Sequence, residues 1–179
     1  LRAAGYAVAD PTIDLVLPPR GLPGVRPLTS EEVTLCRATA LATAGRTSVR
    51  AAAWALGEAT AISSEIARVR IGDLDDPSQP TCVDLPGTAR IRPRRARLNP
   101  WAASVLACRV AHLSSQGLGG EDRLVYRGAL PPGGPQAQAA VCNAIRETMH
   151  AAGLAGEPNL SPESLRNWVG RLAFDAGTP

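Results

Sequence analysis

A mainly helical fold with a small antiparallel β-sheet (α+β) is what this sequence predicts, and three observations carry the expectation. Aromatic residues are only 3% of the 179 residues, so the core has to be built from Ala, Leu, Val and Ile, side chains that let helices pack closely. Helix-start signals precede apolar periodic stretches at Thr29 with Glu32, at Pro100, and at Ser161 with Pro162. Between them, "TCVDLP" and "GTARIRPRRAR" read as short strands around a turn at Pro86 and Gly87.

Residues 1–27 carry Pro11, Pro18, Pro19, Pro23 and Pro27 and read as an extended linker from an upstream domain; residues 28–179 read as one domain with its own core. Leu1 stands where a start methionine would be, as expected of a segment of something longer. The stretch "PLTSEEVTLCRATALATAG" predicts a helix opened by a Thr29–Glu32 capping box and ended near Gly45. Two more follow, "TSVRAAAWALGEA" and the shorter "AISSEIARVR", where Ile62, Ile66 and Val69 share one face. The sheet is a hairpin or three strands, and strand alternation predicts Arg90, Arg92 and Arg94 on one face. "DRLVYRG" reads as another short strand. Helices are predicted over "PWAASVLACRVAHL", over "PQAQAAVCNAIRETMHAAG" up to Gly153, and over "SPESLRNWVGRLAFDAG".

The net charge is +3, and all 19 basic residues are Arg. With abundant Ala, Gly and Pro, the absence of lysine points to a genome rich in G and C, so arginine number alone says little about a nucleic-acid partner. Composition explains Arg in place of Lys but not why Arg90, Arg92, Arg94, Arg95 and Arg97 cluster. Cys36, Cys82, Cys108 and Cys142 are too scattered for a zinc site with His112 or His150, and reduced thiols are expected. No metal, cofactor or membrane contact is expected, and no signal peptide opens the chain, which reads as cytoplasmic, nucleoid-associated if it binds DNA.

Two segments resemble a known family. "EATAISSEIARVRIGDLD" is similar, without a gap, to the T-G-x-R-x-x-E-L stretch and following D-x-D strand of tyrosine recombinases (phage integrases), and "SPESLRNWVGRLAFDAG" to their H-x-L-R-H helix. With "RPLTSEE" and the "LPG" hairpin in the corresponding places, the resemblance spans residues 25–179. It implies the recombinase catalytic-domain fold. In that family two arginines clamp the scissile phosphate, a hairpin lysine protonates the leaving oxygen, two His positions assist, and a C-terminal tyrosine becomes joined to DNA.

Matched position by position, the first arginine falls on Ile62, the acidic residue on Glu65, the first His on Glu163, the second arginine on Arg166 and the second His on Asn167. The lysine is absent, the chain ends shortly after Gly177 where the tyrosine segment would follow, and Tyr6 and Tyr126 do not match it. Loss of an oxyanion donor costs about 10² to 10³ in rate and loss of a general acid about 10² to 10⁴. The resemblance therefore implies an inactive relative: a DNA-binding regulator or accessory factor gripping double-stranded DNA through Arg90, Arg92, Arg94, Arg95, Arg97 and Arg166. The alternatives are a protein-interaction domain on the same fold, or a fragment of an active integrase. Glu65 and Arg166 are expected to brace each other, Ile62, Trp54 and Trp101 to pack in the core, and at least one of Trp168 and Phe174 to be exposed.

Overall fold

The opening helix α1 (Ser30–Ala44) begins where its box residues dictate: Thr29 Oγ1 accepts from the Glu32 N–H at 3.2 Å, and Glu32 Oε2 accepts from the Thr29 N–H at 2.8 Å. Our computed structural model of the protein describes residues 24–177, so most of the linker assigned to 1–27, Tyr6, and residues 178–179 lie outside the described part. Within it, the lead-in is fastened down: the Arg26 N–H donates to the Asn159 carbonyl at 3.0 Å, and its guanidinium grips Glu32 at 2.6 Å.

Helix α2 (Val49–Glu58) is buried from Ala51 through Glu58. Its alanines let five other helices approach, and at Gly57 the approach is close, since a Cβ there would lie 2.7 Å from Leu165 Cδ2. Helix α3 (Ser63–Ile66) is a single turn and shorter than predicted. The chain leaves it because residues 69–71 pair with 122–124 instead: Leu124 N–H to Val69 O at 3.1 Å and Ile71 N–H to Asp122 O at 2.9 Å. That pairing is all that becomes of the "DRLVYRG" strand, an isolated Arg70–Arg123 bridge.

Strands β1 (Cys82–Leu85) and β2 (Arg94–Arg97) pair antiparallel, with Val83 opposite Ala96 and Leu85 opposite Arg94. Val83 and Leu85 face the core. The common face predicted for Arg90, Arg92 and Arg94 is corrected here: residues 88–91 form a turn, closed by Thr88 N–H to Ile91 O at 2.7 Å, and the ladder starts only at Arg94. Pro86 and Pro93 have no N–H to extend it. Gly87, at φ 68°, lets the chain turn, since a Cβ would meet Ile91 O at 2.5 Å.

Helices α4 (Pro100–Ser115), α5 (Pro135–Ala151) and α6 (Glu163–Asp175) start at or beside their prolines, as predicted. The architecture is thus mainly helical with a two-stranded antiparallel sheet. Trp54 is fully buried, and its Nε1 donates to Glu58, which also accepts from Arg37 and Asn99 at 2.6 Å each. Arg37 lies between Trp101 and Trp168, 5.5 and 5.8 Å from their ring centroids, tying α1 to α4 and α6. Arg109 is buried and donates to the Leu124 and Thr47 carbonyls; burial, then the nearby Arg127 charge, lower its pKa. Burial pushes the Cys36 thiol up to about 12, an inert group at neutral pH. No described helix is long and apolar enough to cross a membrane.

Candidate functional site

The end of α2, the start of α3, the middle of α5 and the first turn of α6 enclose an open cleft of about 340 Å³. Ile62, Glu163 and Arg166, which the sequence places in one constellation, do line it together, joined by Ser63, Cys142 and Arg146. Ile62 is half-buried and walls the cleft, so its expected burial in the core is corrected. Arg166 Nη2 donates to Glu163 Oε1 at 2.5 Å across three residues of α6. The carboxylate suits the positive end of the helix and neutralises the guanidinium beside it.

Asn167 points elsewhere, donating its Nδ2 to the Val25 carbonyl at 3.0 Å and so holding the lead-in against α6. The position that would relay a proton in the resembled family is a structural fastener here.

The brace expected between Glu65 and Arg166 is absent. Glu65, with its side chain fully buried, accepts from Arg94 Nη1 at 2.7 Å, while its Oε2 accepts from Arg94 Nη2 at 3.1 Å and the Ile62 N–H at 3.0 Å. The reason is register: β2 turns Arg94 inward, opposite Leu85, and carries it past α3, whereas Arg166 sits on an exposed turn. Arg94 also donates to the Thr60 carbonyl at 2.8 Å, holding Thr60 at φ 67°, a strained value for a β-branched residue. Both carboxylate oxygens of buried Glu65 are engaged, and the pair with half-buried Arg94 locks hairpin to helix.

The remaining hairpin arginines diverge. Arg95 faces outward 3.7 Å from Asp75, its pKa raised by the Cys82 contact first and then by Asp84 across the ladder. Arg97 is exposed opposite Cys82. Arg90 and Arg92 stand exposed on the turn, whose shape Thr88 Oγ1 fixes by accepting from the Arg90 and Ile91 N–H groups.

Arg68, Arg70 and Arg123 line a second cleft, of about 300 Å³, with Asp73. Sequence reasoning passed over this grouping, and over Arg146 in the first cleft. The nearness of Arg68 and Arg70 in the chain was the only signal for the former; the approach of Arg123 rests on tertiary pairing and had none. Among the described residues, no group of His, Cys, Asp and Glu is arranged to hold a metal.

No family model and no curated protein matches the chain. Among solved structures, the crystal structure of XerA recombinase superposes with a TM-score of 0.62 at 15% identity, covering 98% of this chain. The chain spans 57% of the length of that protein. The likeness is one of fold: a mainly helical, recombinase-like arrangement with a small antiparallel sheet.

Proposed function

We propose that this chain binds double-stranded DNA on a recombinase-like fold without cutting it, as a regulator or accessory factor. The fold neighbour is a recombinase, a protein class that handles DNA, which supports a DNA-related role. The observation that carries the reading is a contrast between two places. The helical cleft is walled by Ile62 and holds the Glu163–Arg166 pair, whereas Arg90 and Arg92 stand exposed on the hairpin turn.

An aliphatic side chain cannot clamp a phosphate, and a carboxylate beside the remaining arginine repels one. The chain has no lysine to serve as general acid, and an arginine in that role holds its proton too tightly. Exposed arginines on a turn retain what backbone binding needs: charge, reach and freedom from internal partners.

A specific observation favours a second reading, a protein-interaction domain: on α6, Phe174 is 82% exposed and Leu172 45%. Two assays separate the readings. Anisotropy with a random duplex of about 30 base pairs should show binding with a steep salt slope, and a nicked suicide duplex should give no covalent band on a denaturing gel. A covalent band overturns the inactive assignment; absence of binding at low salt moves the reading to a protein partner.

A further inference from the structure

We propose that the cleft at the sheet edge is an anion site that holds a phosphate group, and that its occupancy is coupled to the hairpin. Arg68, Arg70 and Arg123 are brought together by backbone pairing between residues 69–71 and 122–124, which fixes their spacing before any ligand arrives. Two carboxylates are near. Asp73 lines the cleft, but its Oδ2 accepts from the Arg70 N–H at 2.7 Å and closes the short turn that follows. Glu121, 90% exposed, pairs with the Arg70 side chain from outside the lining.

Three guanidiniums against two carboxylates, Asp73 in the lining and Glu121 on Arg70, leave a net positive field in a partly enclosed space. Planar guanidinium forks match the tetrahedral oxygens of phosphate and bind them in pairs. Arg123 is half-buried and enters no ion pair among the described residues.

The coupling runs through Arg68. Its Nε donates to the Ser64 carbonyl at 3.0 Å and its Nη2 to the Gly87 carbonyl, the residue that opens the turn bearing Arg90 and Arg92. An anion that draws on Arg68 changes the tether of the turn. The site stands on this geometry and does not depend on the DNA reading above.

The phosphate has two sources, a DNA backbone or a free phosphorylated solute. The test titrates inorganic phosphate, at constant ionic strength, into ¹⁵N-labelled protein and follows the Gly72, Gly87 and Leu124 amides. Saturable shifts are expected. Arg123→Ala should weaken them about tenfold, and Arg123→Gln, which keeps the packing of the stem, should do the same; Arg146→Ala, in the other cleft, should leave them unchanged. A second arm measures duplex binding. If Arg123→Ala also lowers the salt slope by about one, the occupant is a backbone phosphate. If duplex binding is untouched while phosphate binding weakens, the occupant is a free phosphorylated solute. Absence of saturable shifts, or shifts that both Arg123 variants leave intact, overturns the site.

Discussion

In the helical cleft, Arg166 is held by Glu163 at 2.5 Å beside the aliphatic wall of Ile62; at the sheet edge, Arg68, Arg70 and Arg123 surround a cleft whose one lining carboxylate is engaged by a backbone N–H. Both regions hold arginines, but among the described residues the first has Arg146 alone outside an ion pair, whereas in the second Arg68 and Arg123 both stand outside one and face the same space. The difference teaches that in an arginine-rich chain the partner of each guanidinium, rather than the number of guanidiniums, decides what a surface can bind. Arg37, Arg94 and Arg109 are internal fasteners, Arg166 is neutralised, and Arg90 and Arg92 stand exposed.

The largest effect is expected from removing a fastener. Glu65→Ala strands the half-buried Arg94 guanidinium and the Ile62 N–H, and should cost about 3 to 5 kcal/mol. Urea unfolding with an unchanged m-value would report it, and a loss below about 1 kcal/mol would show that the pair does not hold β2. Arg37→Ala should cost less, about 2 kcal/mol, because Glu58 keeps its bonds from Trp54 and Asn99. A loss as large as that of Glu65→Ala would erase the distinction between the two buried carboxylates.

Smaller still, Ile62→Arg adds a cation to the helical cleft and brings it closer to the sheet edge in character. Duplex affinity should rise by roughly threefold to tenfold, with the salt slope steeper by about one. Unchanged affinity would mean that DNA does not approach this cleft.

The smallest effect concerns acid. The Arg26 guanidinium holds the Glu32 carboxyl below its usual range, and the Thr81 hydroxyl with the Cys82 N–H does the same for Asp75. A carboxyl depressed in the folded state binds protons more readily when unfolded. Its contribution is present above the unfolded value of about 4 and is lost as pH falls through the folded value. Melting temperature should therefore decline below about pH 4, and Asp75→Asn should flatten that decline; an unaltered acid limb would remove Asp75 from the account.

Much of the fold was legible because its signals are local. The Thr29–Glu32 box, the prolines at Pro100 and Ser161–Pro162, and the Pro86–Gly87 turn each act within a few residues, and each stands where expected. The convergence of Ile62, Glu163 and Arg166 was legible too, through the resemblance of two segments to motifs that share one site in a known family. What failed depended on tertiary register. Glu65 could be marked as a brace from the sequence, but its partner is Arg94 because β2 starts after Pro93, which single-residue propensities do not encode. The helix predicted through Val69 gave way to pairing with residues more than fifty positions ahead, a long-range contact that overrides local preference.

The central claim is that the hairpin, not the helical cleft, presents the charge available to DNA. The most direct test is the salt dependence of duplex binding by anisotropy for the unaltered protein and for Arg90→Ala with Arg92→Ala. The account predicts weaker binding to every sequence and a salt slope reduced by roughly two. A slope that stays the same in the double variant would contradict it.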